Sequence, residues 1–284
     1  MSYFGFLFRF LVPPLLTLGM LAVWDWRRGV WVPSELRGRP VWLALLAHIV
    51  VALLYTTPWD NYLVATRIWW YDPARVVGIT LGWVPLEEYT FFVLQTLLTG
   101  LLWAVLARYL PYRTLRASNP LTLRWGLTAV VGLIWLGAIG SRLAGWGPGT
   151  YLALEFAWAL PPIMLQLGFG ADILWRNRRL VALSILIPTF YLSLADSTAI
   201  GAGTWTFDPD KSTGWWIGGL LPVEELFFFL LTNTLIGFGM TLVTSSESQS
   251  RVRILIDKLS RSASTSNVRL FHQLRRGNSG EDWS

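Results

Sequence analysis

A chain of 284 residues that is 54% hydrophobic and only 14% charged falls well short of the roughly 25% charged residues of soluble globular domains, which argues against a soluble enzyme. With no Cys and two His, disulfide frameworks, thiolate metal sites, Cys nucleophiles and His-rich metal centres drop out, and no metal is expected. The formal charge of +6 would suit nucleic acid, but basic residues beside apolar spans equally mark membrane orientation. The lipid bilayer is the expected partner, and nucleic acid is not.

Apolar runs of about 20 residues predict seven spans in chain order: Tyr3 to Trp24, Val41 to Pro58, Val84 to Tyr109, Trp125 to Leu143, Tyr151 to Trp175, Leu180 to Ala195 and Gly218 to Thr244. The expected fold class is therefore an all-α integral membrane protein of about seven transmembrane helices. The second and sixth runs are short and carry Pro58 and Pro188, so they are expected to end inside the membrane against other helices. Val76 to Trp83 is too short to cross. Met1 to Pro14 lacks a basic start and a small-residue cleavage site, and reads as a retained first helix.

Lys and Arg test this count. With the N-terminus outside, the inner segments hold Arg27, Arg28, Arg37, Arg39, Arg108, Arg113, Arg116, Arg124, Arg176, Arg178 and Arg179 and the tail after Thr244, together 18 of the 23 basic residues. Arg9, Arg67, Arg75, Arg142 and Lys211 stay outside. The positive-inside rule then favours seven spans in the cell membrane and a cytoplasmic C-terminus. Residues 245–284 are Ser- and Arg-rich and read as a disordered basic cytoplasmic tail.

Self-comparison reveals an internal repeat. Tyr3 with Pro13-Pro14 returns 148 residues later as Tyr151 with Pro161-Pro162, and Asp25 returns at 147 as Asp172. Asp60 and Asp72-Pro73 return at 136 as Asp196 and Asp208-Pro209. Pro85-Leu86-Glu87-Glu88 with Phe91-Phe92 returns at 137 as Pro222-Val223-Glu224-Glu225 with Phe228-Phe229. This predicts a three-helix repeat in 1–110, a linker with a spacer helix in 111–147 and a second three-helix repeat in 148–244, related by a pseudo-twofold along the membrane normal. Asp60, Glu87 and Glu88 should then meet Asp196, Glu224 and Glu225 near the outer ends of the spans.

Pro at a helix start followed by Glu is ordinary capping chemistry, because Pro lacks an N–H that has no partner there and the helix dipole favours anions. Four Glu in two copies, each leading into an apolar span, favour a functional site, since acids inside membranes are costly. Glu88, Phe91, Phe92 and Gln95 share one helix face, and Glu225, Phe228, Phe229 and Thr232 repeat it. A carboxyl group heading an aromatic stripe suits proton donation followed by stabilisation of a carbocation on ring faces. Glu87, Glu88, Glu224 and Glu225 are the catalytic candidates, with Glu88 and Glu225 foremost, and Asp60, Asp196, Phe91, Phe92, Phe228 and Phe229 support them. His48 reads as a packing residue. Glu155 replaces Leu7 of the first copy and either specialises one half or pairs with an Arg. Trp59, Trp69, Trp70, Trp205, Trp215 and Trp216 read first as interface anchors.

The tandem Pro-x-Glu-Glu-x-x-Phe-Phe pattern, Pro58-Trp59-Asp60-Asn61 and the repeated Asp-Pro resemble the small membrane-integral carotenoid cyclases, over roughly Met1 to Val243. That family occurs as heterodimers of homologous subunits, as fused single chains and as the cyclase half of bifunctional phytoene synthase proteins. The resemblance implies an isomerase-type enzyme of carotenoid biosynthesis that closes the linear ends of lycopene into β-ionone rings, giving γ- or β-carotene without net redox change. It maps the familial acids onto Glu87, Glu88, Glu224 and Glu225, and makes lycopene or a related linear carotenoid the substrate and other carotenoid-biosynthesis enzymes candidate partners. No cofactor is expected: no strand-linked G-x-G-x-x-G occurs, and Gly145, Gly147 and Gly149 fall in a short loop. A retinal protein would need an intramembrane Lys, whereas Lys211 and Lys258 lie outside the spans. A prenyltransferase would want clustered Asp for Mg²⁺ and diphosphate. The competing readings are a proton-coupled transporter and, among enzymes, a carotenoid hydratase or a C50 carotenoid cyclase.

Overall fold

The computed structural model describes residues 1–111, 119–258 and 260. Arg113 and Arg116, and the basic residues from Arg261 on, lie outside the described residues. Seven helical segments among the described residues are long and apolar enough to cross a membrane, as the all-α expectation required. The first is split into α1 (Tyr3–Phe10) and α2 (Val12–Arg27) at Leu11, because Pro13 and Pro14 lack the N–H groups that would continue the ladder and are tolerated in a new first turn. Then follow α3 (Val41–Ala65), α4 (Leu86–Tyr109), α5 (Pro120–Leu143), α6 (Thr150–Arg176), α7 (Arg178–Gly201) and α8 (Val223–Thr244).

Two expectations are corrected here. The second and sixth spans do not stop at their prolines: α3 runs on through Pro58 to Ala65, and α7 through Pro188 to Gly201. Each Pro removes one intrahelical bond, but buried side chains on both sides of it, such as Thr56 and Asp60 in α3 and Ile185 and Leu192 in α7, hold the helix against its neighbours. The tail is not disordered where it is described. Residues 246–258 form a further helix, fastened by Glu247 to Arg176 at 2.6 Å and by Arg251 to Asp172 at 2.8 Å.

The central pair is α4 and α8. Gln95 donates to Thr232 at 2.8 Å, Thr99 to Asn233 at 2.6 Å and Trp103 to Thr241 at 2.9 Å, side-chain bonds that fasten two helices where lipid offers no hydrophobic drive. By contrast, α5 rests on α6 through Trp135 to the Ala157 carbonyl and Arg124 to the Gly168 carbonyl, and turns Leu127, Val130, Leu133 and Leu136 outward.

Short strands cap the end of the bundle where α4 and α8 begin. β1 (Trp69–Tyr71) pairs antiparallel with β4 (Trp205–Phe207), Trp70 opposite Thr206. Two tight hairpins, β2 (Thr80–Leu81) with β3 (Val84–Pro85) and β5 (Trp216–Ile217) with β6 (Leu221–Pro222), lead into α4 and α8. Gly82 in the first has φ of +70°, and a Cβ there would lie 2.1 Å from Asn61 Oδ1, the oxygen that accepts from Trp83 N–H at 2.7 Å. Bonds recur at matched positions: Tyr3 N–H reaches the Arg75 carbonyl and Tyr151 N–H the Lys211 carbonyl, while the Tyr55 hydroxyl reaches the Trp158 carbonyl and the Tyr191 hydroxyl the Phe10 carbonyl.

Candidate active site

Where α4 and α8 start, beneath β1 and β4, a small cavity of about 40 Å³ is lined by Glu88, Glu225, Asp196, Tyr3, Tyr71, Trp69, Trp205 and the rings of Phe6, Phe91, Phe207, Phe228 and Phe229. Helix geometry puts Glu88 and Phe91 on one face of α4 and Glu225, Phe228 and Phe229 on one face of α8. Asp60, fully buried on α3, faces Trp69 and feels the charges of Glu88 and Glu225; Asp196 on α7 faces Trp205 and feels the same two. No ion pair joins any of these four carboxylates to Arg or Lys among the described residues.

Phenol groups serve the two glutamates instead. The Tyr3 hydroxyl donates to Glu88 Oε2 at 2.5 Å and the Tyr71 hydroxyl to the same oxygen at 2.9 Å. Tyr151 donates to Glu225 Oε1 at 2.6 Å. Burial, followed by the charges of Asp60 and Glu88, pushes the Tyr71 phenol well above its ordinary range, so it remains a donor at any physiological pH.

The other two motif acids point away from the cavity. Glu87 Oε1 accepts from Val77 N–H at 2.6 Å. Glu224 Oε1 accepts from Thr213 N–H at 2.7 Å, the Thr213 hydroxyl at 2.8 Å and the Ser212 hydroxyl at 3.0 Å. They clasp the loops that precede their own helices. The structure thus brings Glu88, Glu225, Asp60, Asp196, Phe91, Phe228 and Phe229 together and sets Glu87 and Glu224 behind them, while Phe92 borders a second space.

That second space is a largely apolar chamber of about 520 Å³ between α3, α4, α6, α8 and the helix at 246–258. Its wall runs from Phe92 and Phe228 past Thr232 and Gln166 to Val252. Phe228 belongs to both spaces and heads a stack in which it lies parallel to Trp59 at 6.1 Å and Trp59 lies on Trp158 at 4.4 Å. His48 borders the chamber with Nδ1 on the Ala44 carbonyl at 2.6 Å and its ring against Gly239, a packing arrangement. Glu155 pairs with no Arg among the described residues: it is fully buried beside Tyr151.

Sequence reasoning passed over Tyr71, and it read the six Trp as interface anchors by default with some lining the pocket, without telling which; the structure places Trp69 and Trp205 in the cavity. Their place in the cavity depends on pairing between β1 and β4, which are 136 residues apart. Tyr3 and Tyr151 stood in the repeat, and that symmetry was the signal for them.

Comparison with known proteins decides the family. The lycopene cyclase family model matches residues 3–106 and 148–243. The chain belongs to the lycopene cyclase family. Lycopene beta-cyclase of Halobacterium salinarum is 40% identical over 243 residues, 85% of this chain and 95% of that protein. The bifunctional lycopene cyclase/phytoene synthase of Podospora anserina is 40% identical over 198 residues, 68% of this chain but 33% of that protein, and its counterpart in Aspergillus oryzae is 34% identical over 209 residues. No solved structure matches the chain. As a lycopene cyclase the protein is an enzyme, and its seven apolar helices suit a membrane.

Proposed function

We propose that the protein is a lycopene beta-cyclase whose reaction occurs between Glu88 and Glu225. A proton from a carboxyl group adds to C2 of a terminal alkene of lycopene and leaves a tertiary cation at C1. The neighbouring C5–C6 double bond attacks, forming the C1–C6 bond and moving the cation to C5. Loss of the C6 proton to a second carboxylate completes a β-ionone ring, so electrons and protons balance with no redox change. The observation that carries the reading is two pocket-facing glutamates among Phe91, Phe228, Phe229 and Trp205, with no basic side chain among the described residues paired to them. Ring faces stabilise the passing cation, and water-poor surroundings strengthen every charge interaction. Glu87 and Glu224 hold the loops over the site, and Asp60 and Asp196 complete the carboxyl cluster.

The polyene lies in the apolar chamber, whose volume falls in the roughly 300–1000 Å³ range of small-molecule pockets, and an end reaches the acids past Phe228. Two three-helix units, 1–110 and 148–244, joined by the α5 linker, share this one site; the matched bonds at spacings of 136 to 148 residues support that reading. The Arg-rich helix ends lie opposite the acid cluster and support a cytoplasmic C-terminus with the site near the outer face. Expression in a lycopene-accumulating bacterium tests the function: chromatography should show cyclic carotenoids, and unchanged lycopene beside membrane-inserted protein overturns it. Ala52→Trp, which fills the chamber, should leave insertion intact and cut conversion severely.

A further inference from the structure

We infer that the two pocket glutamates do different work, Glu225 delivering the proton that starts cyclisation and Glu88 receiving the proton that ends it, with Tyr71 as the positioning residue that makes them differ. The inference rests on the cyclase reading above. It starts from a place where the matched halves depart from each other. Tyr3 and Tyr151 serve their glutamates alike, at 2.5 and 2.6 Å. The strand residue does not: Tyr71 in the first half corresponds to Phe207 in the second, and each ring stacks on its half's helix-start tyrosine, at 6.0 and 5.9 Å. Only Tyr71 carries a hydroxyl. Glu88 Oε2 therefore accepts from two phenols, while Glu225 Oε1 accepts from one.

A carboxylate is an acceptor only, and an oxygen that takes two O–H donors is matched to the charged form. Glu88 is arranged as a carboxylate. The other glutamate follows by difference. Glu225 keeps a single phenol donor and faces the same small cavity as Glu88. Carboxyl groups so close cannot all be ionised. The remaining surroundings are matched: Asp60 and Asp196 each feel both glutamates, and the adjacent motif acid acts on each, Glu87 on Glu88 and Glu224 on Glu225. With Glu88 held as the carboxylate by two phenols, the proton of the pair is held at Glu225.

In the reaction, the Glu225 O–H bond breaks as the C2–H bond forms, and the C6–H bond breaks as a proton reaches Glu88. The pair finishes with its charge unchanged, one proton moved from Glu225 to Glu88, and transfer back through the carboxyl cluster restores the start. No co-reactant is consumed.

The test uses the full chain in lycopene-accumulating cells, with products identified by chromatography and mass. Glu225→Gln should leave lycopene unchanged. Glu88→Gln should still consume lycopene, slowly, into products whose cation was quenched elsewhere: ring double-bond isomers or a hydroxylated product heavier by one water. The reverse pattern, or identical behaviour of the two variants, overturns the assignment. Failure of the unsubstituted chain to cyclise lycopene overturns the cyclase reading instead. For the positioning role of Tyr71, Tyr71→Phe and Phe207→Tyr should each cost about tenfold or more in conversion, the weight of a hydrogen bond to a charged group. The exchange variant carrying both should recover part of that loss with an altered product ratio. Losses in the exchange variant that merely add up, with the product ratio fixed, would make the hydroxyl a packing detail and overturn its role.

Discussion

The two ends of the helix bundle bury carboxylates by opposite rules. At the end where α2 and α6 finish, Asp25 is bonded by Arg108 at 2.9 Å and by the Tyr109 hydroxyl, and Asp172 by Arg251 at 2.8 Å with Arg124 at 3.9 Å. At the other end Asp60, Glu88, Asp196 and Glu225 are as deeply buried and have phenols and indoles for company. Burying an unpaired charge is expensive, and pairing it with guanidinium offsets the cost. One end removes the expense and is fixed in one protonation state; the other retains it, and carboxyl groups there keep the option of carrying a proton. Aspartates 25 and 172 recur at one sequence spacing and Asp60 and Asp196 at another, so acids at matched sequence positions are paired with Arg at one end and make no ion pair among the described residues at the other.

The largest effect should come from removing proton chemistry at the reactive end. Glu88→Gln or Glu225→Gln preserves shape and should lower β-ring formation by about 10² to 10⁴-fold, the usual weight of a positioned acid or base, in membranes where the protein level is unchanged. Losses of a fewfold would mean that these acids only pack, and the contrast between the ends would collapse.

At the structural end the prediction inverts. Asp25→Asn should leave cyclisation per folded molecule near the parent value but strip Arg108 of its partner. Breaking a fully buried pair costs about 3 to 5 kcal/mol; with the Arg108 side chain 14% exposed, a loss of about 1 to 3 kcal/mol is expected. Thermal unfolding in detergent followed by tryptophan emission measures it. An unchanged melting curve together with lost activity would place chemistry at the wrong end.

The loop-clasping acids fall between. Glu87→Gln keeps a carbonyl that can accept from Val77 N–H and should cost only a fewfold in activity, whereas Glu87→Ala leaves that amide unanswered, at about 1 to 3 kcal/mol, and should free the loop. Glu224→Gln and Glu224→Ala should follow suit. Equal losses for the Gln variants of Glu87 and Glu88 would erase the distinction between clasp and reactant.

How far the sequence disclosed this contrast follows from the range of the interactions. Apolar runs and Arg placement are local, and they revealed the spans and their basic ends. Internal comparison aligned Glu88 with Glu225 and Asp60 with Asp196, and helix periodicity put the phenylalanines on the same faces. Two neighbouring glutamates in one motif could not be separated that way, because their different orientations, Glu88 into the cavity and Glu87 onto Val77 N–H, depend on which way the first turn faces, and that is fixed by hairpins the apolar pattern conceals. Pro58 and Pro188 misled for a related reason: propensity is a local preference, and packing on both sides of each proline overrode it. The tail helix at 246–258 depends on Asp172 and Arg176, more than seventy residues upstream, which composition cannot sense.

The smallest effect should appear in the loops above the reactive end, where charges are paired but exposed. Asp72 accepts from Ala74 N–H at 3.0 Å and pairs with Arg75 at 2.9 Å; Asp208 accepts from Asp210 N–H at 3.0 Å and pairs with Lys211 at 2.8 Å. The backbone amide of Ala74, with Arg75, holds the Asp72 carboxyl below its ordinary range, and Lys211 does so for Asp208. A carboxylate whose folded value is depressed contributes stability that is complete above its unfolded value, near 3.9, and is lost as pH falls through the folded value. The loops should therefore keep their amide protection unchanged from neutrality down to about pH 4 and loosen only below it. Hydrogen exchange of residues 72–77 and 208–213 at stepped pH measures this, with Asp72→Asn and Asp208→Asn expected to loosen the loops even at neutral pH, while cyclisation drops little. Loosening between about pH 7 and 5 would show instead that the loops answer to the carboxyl cluster beneath them, and that the two ends are less separate than their bonding suggests.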